Sequence, residues 1–302
     1  MVVQYSIPVR GDSSAGEGDD LDVVKRKTEK WTCKEVFMKR LSVVAVMVTV
    51  SLTWAYPQAQ ELPIHFMDMN FQMIRTLGQT TAAAVIVPMC QIENHGLHLP
   101  VGTDFYCTME IARKTAEICG AVVGVPLTLG NCVPYASWPG YVMIDTETLM
   151  KIVKQYLRSM QDQGFKKIAF LIMHAGDNFN GIKLAVDEYT RDNPDMSVAI
   201  TVAGMLLSKE DIKLPEPGID IDTSIMLQVK PELVHVDKLA EAQKNRLESQ
   251  TKGRAIRYDR GRNLAYYRPD NYIDASKSTA GIGRKLLEIL STNFAEIIND
   301  LK

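Results

Sequence analysis

The sequence predicts an α/β fold with a mostly parallel central sheet. Three observations carry this expectation. Short apolar runs recur along the chain, amphipathic stretches of helical period separate them, and glycines stand where helices should stop. The first run, residues 82–88, reads as a buried strand. Residues 103–120 read as a helix, with Thr103 or Asp104 as its cap and Gly120 as its end. A second strand is expected over 121–126. Residues 145–163 form a long amphipathic helix, because Leu149, Ile152, Val153, Tyr156, Leu157 and Met160 share one face, and Gly164 closes it. A third strand is expected over 167–173, a helix over 180–191, a fourth strand over 197–203 and a final helix over 278–301. In such sheets ligands bind beyond the carboxyl ends of the strands. Attention therefore falls on residues 89–104 and 174–178.

Composition narrows the function classes. The 302 residues include 34 Lys+Arg against 36 Asp+Glu, for a formal net charge of −2. That balance gives no electrostatic footprint for nucleic acid. Hydrophobic residues make up 46% and charged residues 23%, which fits a folded globular chain rather than a disordered or polytopic membrane one. Five cysteines are too few for a disulfide scaffold.

The N-terminal part reads as a targeting region. Residues 1–37 are polar, carry a Gly/Ser/Asp stretch and show no apolar period, so they are expected to be a disordered extension, and translation starting at Met38 would leave them out. Met38-Lys39-Arg40 then leads into an apolar run that ends at Ala55, the layout of a signal peptide over 38–55. A buried element and a single membrane anchor are the alternatives, but the run falls short of the ~20 residues that span a bilayer. The expectation is a secreted or periplasmic protein whose functional domain is 61–302. Cys90, Cys107, Cys119 and Cys132 remain in it, with no pairing legible in the sequence.

The chemistry-bearing residues fall in two places. The first holds Glu93, His95, His98 and Asp104 within 12 residues, punctuated by Gly96, Pro100 and Gly102. Carboxylate oxygens and imidazole nitrogens together suit Zn2+, Mn2+ or Fe2+. Glu93 and His95 are two apart, so both can face one side of an extended loop. The bland alternative is a set of capping or solvated loop acids with polar histidines. The second place is His174, directly after an apolar strand, followed by Gly176, Asp177 and Asn178. A lone histidine there can equally be structural; its value lies in pairing with the first cluster. Neither a G-x-S-x-G elbow nor a dinucleotide or P-loop glycine motif is present in the sequence, which leaves nucleophilic-serine and nucleotide enzymes without support.

Taken together, these segments resemble the creatininase family. The family's first motif, G-S-x-E-Q-H-G-P-H-L-P-L-G-T-D, stands here as residues 90–104, with Glu93, His95, Gly96, His98, Leu99, Pro100, Gly102, Thr103 and Asp104 matching. Ser137, Pro139 and Gly140 look like its S…F-P-G segment, and Glu147-Thr148-Leu149 like its E-T-L helix start. His174, Gly176 and Asn178 look like H-G-G-N, and Asp222-Thr223-Ser224 resembles E-T-S. Ala280, Gly283 and Arg284 match the closing helix. The resemblance covers about residues 65–300.

It implies a single three-layer α/β/α domain and a metal-dependent amidohydrolase that opens a cyclic or linear amide or amidine C–N bond with a metal-activated water. It implies a small-molecule substrate, a homo-oligomer and no stable membrane partner. The implied cofactor is Zn2+ or Mn2+, with Fe2+ as a further option, at two ions per subunit. By this resemblance Glu93, His95, Asp104 and His174 are metal ligands, with Asp104 bridging, and Asp177 or Asp222 supplies a further carboxylate. Asp222 stands where the family usually has Glu and reaches one C–C bond less. The family often has a proton-donating histidine shortly before E-T-S. This chain has none there, and Glu216 or Asp220 is expected to serve as the acid instead. A fold-retaining binding protein without turnover is the alternative function. His98 is expected to brace its loop, and His65 and His235 to be surface residues. Cys90 is read as a buried small residue, and the basic, Tyr-bearing run 252–268 as a solvated face or a subunit contact.

Overall fold

The computed structural model describes residues 63–80, 83–131, 139–174, 176–207, 219–238, 258–259, 262–263 and 275–302. All of them belong to the unit Glu61–Lys302. The expected extension, the signal segment, Glu216, Ser137, Cys132 and nearly all of the 252–268 run lie outside the described residues.

Four parallel strands form the sheet, in the order β2-β1-β3-β4: β1 is Ala84–Met89, β2 Val122–Val123, β3 Lys167–Ile172 and β4 Ser197–Val202. All six residues of β1 are buried, as are five of the six in β3. A central parallel strand is covered on both faces, so it reads as an unbroken apolar run rather than an alternating one. The helices are α1 (Phe71–Gly78), α2 (Thr103–Cys119), α3 (Thr146–Asp162), α4 (Asp177–Asp192), α5 (Ile221–Val229) and α6 (Ala280–Asn299).

The period of two in the strands sorts these helices into layers. Ala84, Ile86, Ala169 and Leu171 point to one face, where they meet α2, α5 and α6 through Ile111, Ile225, Leu286 and Leu290. Val85, Val87, Ile168 and Phe170 point to the other, against Leu149, Val153 and Leu157 of α3 and Ile182 of α4. This is the three-layer arrangement that the family resemblance implies.

Local chemistry sets the element ends. The Asp145 side chain caps α3 by accepting from the Thr148 N–H at 2.7 Å. Gly164, at φ 95°, turns the chain out of α3. Three expectations need correction. The cap of α2 is Gly102, with no side-chain cap bond; the Thr103 hydroxyl instead donates to the Pro100 carbonyl, and Asp104 faces the site. Helix α4 begins at Asp177 rather than 180. The second strand pairs only over Val122–Val123. Beyond it the chain keeps single bonds to β1, from Gly124 N to Ile86 O and from Leu127 N to Pro88 O; between them Pro126 has no N–H to give.

Helices α5 and α6 cross at a glycine. A Cβ on Gly283 would lie 1.9 Å from the Ser224 carbonyl oxygen, whereas one on Gly281 would meet nothing closer than Thr279 Oγ1 at 3.8 Å. Gly283→Ala is therefore expected to cost about 1–3 kcal/mol of stability through overpacking. Gly281→Ala is expected to gain about 0.4–1 kcal/mol by stiffening the unfolded chain. Urea unfolding of the two variants beside the parent checks both signs.

Candidate metal centre

The strand order creates the site. From β1 the chain crosses through α2 to β2 on one side, then through α3 to β3 on the other side of β1. The connections thus diverge between β1 and β3, and the crevice beyond their carboxyl ends is a topological switch point. The loop after β1 carries Glu93 and His95, and the segment after β3 carries His174.

The loop after β1 is pinned along its length. The Cys90 N–H donates to the Leu127 carbonyl at 2.8 Å, and the Glu93 N–H to the Val101 carbonyl at 3.1 Å. The Asn94 side chain accepts from the Gly96 N–H at 2.7 Å, an Asx turn that Gly96 completes at φ 85°. Gln91 is fully buried; its amide donates to the carbonyls of Ile92 and Val142 and accepts from Asn178 at 3.3 Å.

The side chains converge. His174 Nδ1 lies 2.6 Å from Glu93 Oε1. His95 Nε2 lies 3.2 Å from Asp104 Oδ1 and 3.6 Å from Glu93 Oε1, and His95 Nδ1 lies 3.8 Å from Asp222 Oδ2. Two groups have all their donor atoms within 4.8 Å of one another: Glu93, Asp104 and His174, and His95, Asp104 and Asp222. Asp104 belongs to both. Asp104 and Asp222 sit in the first turns of α2 and α5, where the positive end of the helix dipole favours a carboxylate.

Burial makes this concentration of acid costly. Glu93 and Asp104 are 4% and 1% exposed. Burial pulls the His95 imidazole towards the neutral form, but Asp104, Asp222 and Glu93 outweigh it and push its pKa up to about 9. For Asp222, burial and then the charge of Asp220 raise the pKa to about 8. Both groups are thus held towards their protonated forms.

A divalent metal fits this donor set. Two donor atoms bound to one ion at ~2.0–2.2 Å stand about 3.4 Å apart in tetrahedral geometry, close to the 3.2 Å between His95 Nε2 and Asp104 Oδ1. Asp104 Oδ2 is buried and has no hydrogen-bond partner among the described residues. Orphaned buried polar atoms of this kind need an explanation, and a bound ion supplies one.

The remaining expected residues fall elsewhere. Asp177 is exposed at the start of α4 and belongs to neither convergent group. Asp220 caps α5: its Oδ2 accepts from the Thr223 N–H at 2.8 Å and from the Thr223 hydroxyl at 2.6 Å. His98 bonds Thr223 Oγ1 through Nε2 at 2.9 Å, the bracing role expected of it. Cys90 and Cys107 are buried, free thiols, and burial raises both pKa values far from the thiolate range.

These shifts give the site a pH dependence of definite sign. The raised His95 value contributes stability that is complete below about pH 6.5 and lost as pH rises through about 9. The raised Asp222 value contributes stability that is complete below about pH 3.8 and lost as pH rises through about 8. Metal-free protein is thus expected to lose thermal stability as pH rises from about 6 to about 9. Affinity for Zn2+ should rise over the same range, with proton release, because both groups must deprotonate to bind. Melting curves and calorimetric titrations in buffers of different ionisation enthalpy check this; a stability that climbs with pH would refute it.

Comparison with known proteins bears on the family and the fold. The chain is 25% identical over 185 residues to the 3-dehydro-scyllo-inosose hydrolase of Thermotoga maritima, covering 57% of this chain and 58% of the relative. It is 29% identical over 161 residues to the mycofactocin precursor peptide peptidase of Mycolicibacterium smegmatis, covering 51% of this chain and 61% of that one. The chain thus spans about three-fifths of the length of either relative. Among solved structures, creatininase Mn superposes with a TM-score of 0.68 at 18% identity, over 79% of this chain and 98% of that one, a likeness of fold. The sequence profile of creatininase, creatinine amidohydrolase, matches residues 67–298, and the chain belongs to the creatininase family.

Proposed function

We propose that the protein is a metal-dependent amidohydrolase that opens a cyclic or linear amide or amidine C–N bond of a small molecule. The observation that carries this reading is the pair of donor groups sharing the buried Asp104. Glu93, Asp104 and His174 would hold one ion, and His95, Asp104 and Asp222 a second. Zn2+ or Mn2+ suits these ligands best, with Fe2+ close behind. Bound there, the metal supplies a water acidic enough to act at neutral pH and polarises the carbonyl under attack.

The chain's own residues do the rest. The pinned loop keeps Glu93 and His95 in place without reorganisation during turnover. The first turn of α2 presents Asp104, and the first turn of α5 brings the short Asp222 side chain to His95. The leaving nitrogen needs a proton as its bond breaks. Asp220 is committed to capping α5, so Glu216 is the preferred donor, chosen from its sequence position alone. Export through residues 38–55 and assembly into a homo-oligomer belong to the same proposal. No described helix is long and apolar enough to cross a membrane.

His174→Ala is expected to lose metal and activity together, because one ligand of the first group is gone. Glu216→Gln is expected to lower kcat by about 10²–10⁴-fold with metal content unchanged, the usual contribution of a positioned acid. Metal analysis and hydrolysis of a panel of cyclic and linear amides read both outcomes. Metal binding without hydrolysis across that panel would favour a binding protein that has kept the fold, in line with the absent histidine before Asp222.

A further inference from the structure

The two convergent groups are assembled differently. Glu93 and His174 follow neighbouring strands, so the β1–β3 register of Met89 against Ile172 brings them together. Asp222 has no such support, since it rides on α5, which is joined to none of these strands by sheet hydrogen bonds. Something must fix α5 against the loop that carries His95.

We propose that His98 is a positioning residue that clamps this loop to α5 and thereby sets Asp222 against His95. The inference rests on the two-ion reading of the site. His98 is three residues beyond His95, and Thr223 directly follows Asp222. The link between them is the buried 2.9 Å contact of His98 Nε2 with Thr223 Oγ1. The Thr223 hydroxyl gives its only proton to Asp220 Oδ2 at 2.6 Å, so it can only accept from the imidazole. This fixes the tautomer: Nε2 carries the proton, and Nδ1 is left buried without a partner among the described residues. A second bond holds the same residue, from the His235 N–H to the His98 carbonyl at 2.9 Å. Asp220 is itself anchored, because its N–H donates to Ser278 Oγ at 2.9 Å. The relay His98–Thr223–Asp220 thus ties the loop to the start of α5, with Asp222 between its two ends.

Because the β1–β3 register already sets Glu93 and His174, the clamp should act chiefly on the group that holds His95 and Asp222, a selectivity that a merely structural role would not give. Titration of the metal-free full chain with Zn2+ tests it. Thr223→Val and His98→Leu should each weaken one of two ions by about 10–100-fold, the usual effect of losing an outer hydrogen bond that orients a ligand. The other ion should bind as in the parent. Thr223→Ser, which keeps the hydroxyl, and His98→Gln, which keeps an N–H donor, should retain both ions. Equal weakening of both ions, or of neither, overturns the clamp. So does an effect of Thr223→Val that His98→Leu does not share, since that would belong to the helix cap alone. If the parent binds a single ion, the two-ion reading fails separately. The clamp is then judged by a double-mutant cycle of His98→Leu and Thr223→Val on the unfolding midpoint of metal-free protein: additive losses overturn it, and a shared loss upholds it.

Discussion

The structure depends on one electrostatic constraint: several carboxylates must share a small buried volume without unfolding it. Glu93, Asp104, Asp220 and Asp222 gather at the ends of the central strands, and His95, its pKa raised by them, brings positive charge beside them. An uncompensated buried charge is among the most costly features a fold can carry. Three devices offset it here. The N-termini of α2 and α5 face the acids, Asp220 is spent on a helix cap, and the surroundings of His95 and Asp222 favour their protonated forms. A divalent cation would replace those protons with charge that does not dissociate as pH rises. The fold thus makes metal binding and local stability parts of one equilibrium.

The sheet supplies the rigidity that this arrangement requires. β1 and β3 are fully paired neighbours, so the segments that leave them cannot drift apart. Buried amides finish the work where the strands end. Gln91 and Asn178 bond each other between the Glu93 loop and the start of α4, and the Asn178 side chain also accepts from the Asn131 N–H. Such networks are stable only when every member is satisfied. A substitution here would therefore disturb the centre from a distance without removing a ligand.

How far the sequence discloses this arrangement can be judged from particular residues. The strands are legible because burial on both faces leaves unbroken apolar runs, and α3 because one of its faces is solvated. Helix α5 escapes a reading by pattern: Ile225 and Met226 are wholly buried, and a helix covered nearly all round carries no amphipathic period. Helix α1 escapes it too, although Asn70 signals its start by accepting from the N–H groups of Gln72 and Met73; eight residues are too few for a period to stand out. At the site, Glu93, His95, Asp104 and His174 are legible from spacing and resemblance. The cap of α2 is not, because an acid in a first turn has the same sequence signature whether it caps the helix or faces a cavity.

Asp222 shows why a motif departure need not mean a lost site. The family usually has a glutamate there, and an aspartate falls one bond short on an unchanged backbone. Reach, however, is a property of the side chain and its carrier together. In this chain α5 packs closely on α6 at Gly283, where the crossing leaves no room for a Cβ. At its other end the helix is held by the Asp220 cap and the His98–Thr223 contact. Asp222 Oδ2 accordingly comes within 3.8 Å of His95. If Asp222 is a ligand, as proposed, the packing that positions α5 would matter to the metal centre as much as the carboxylate itself.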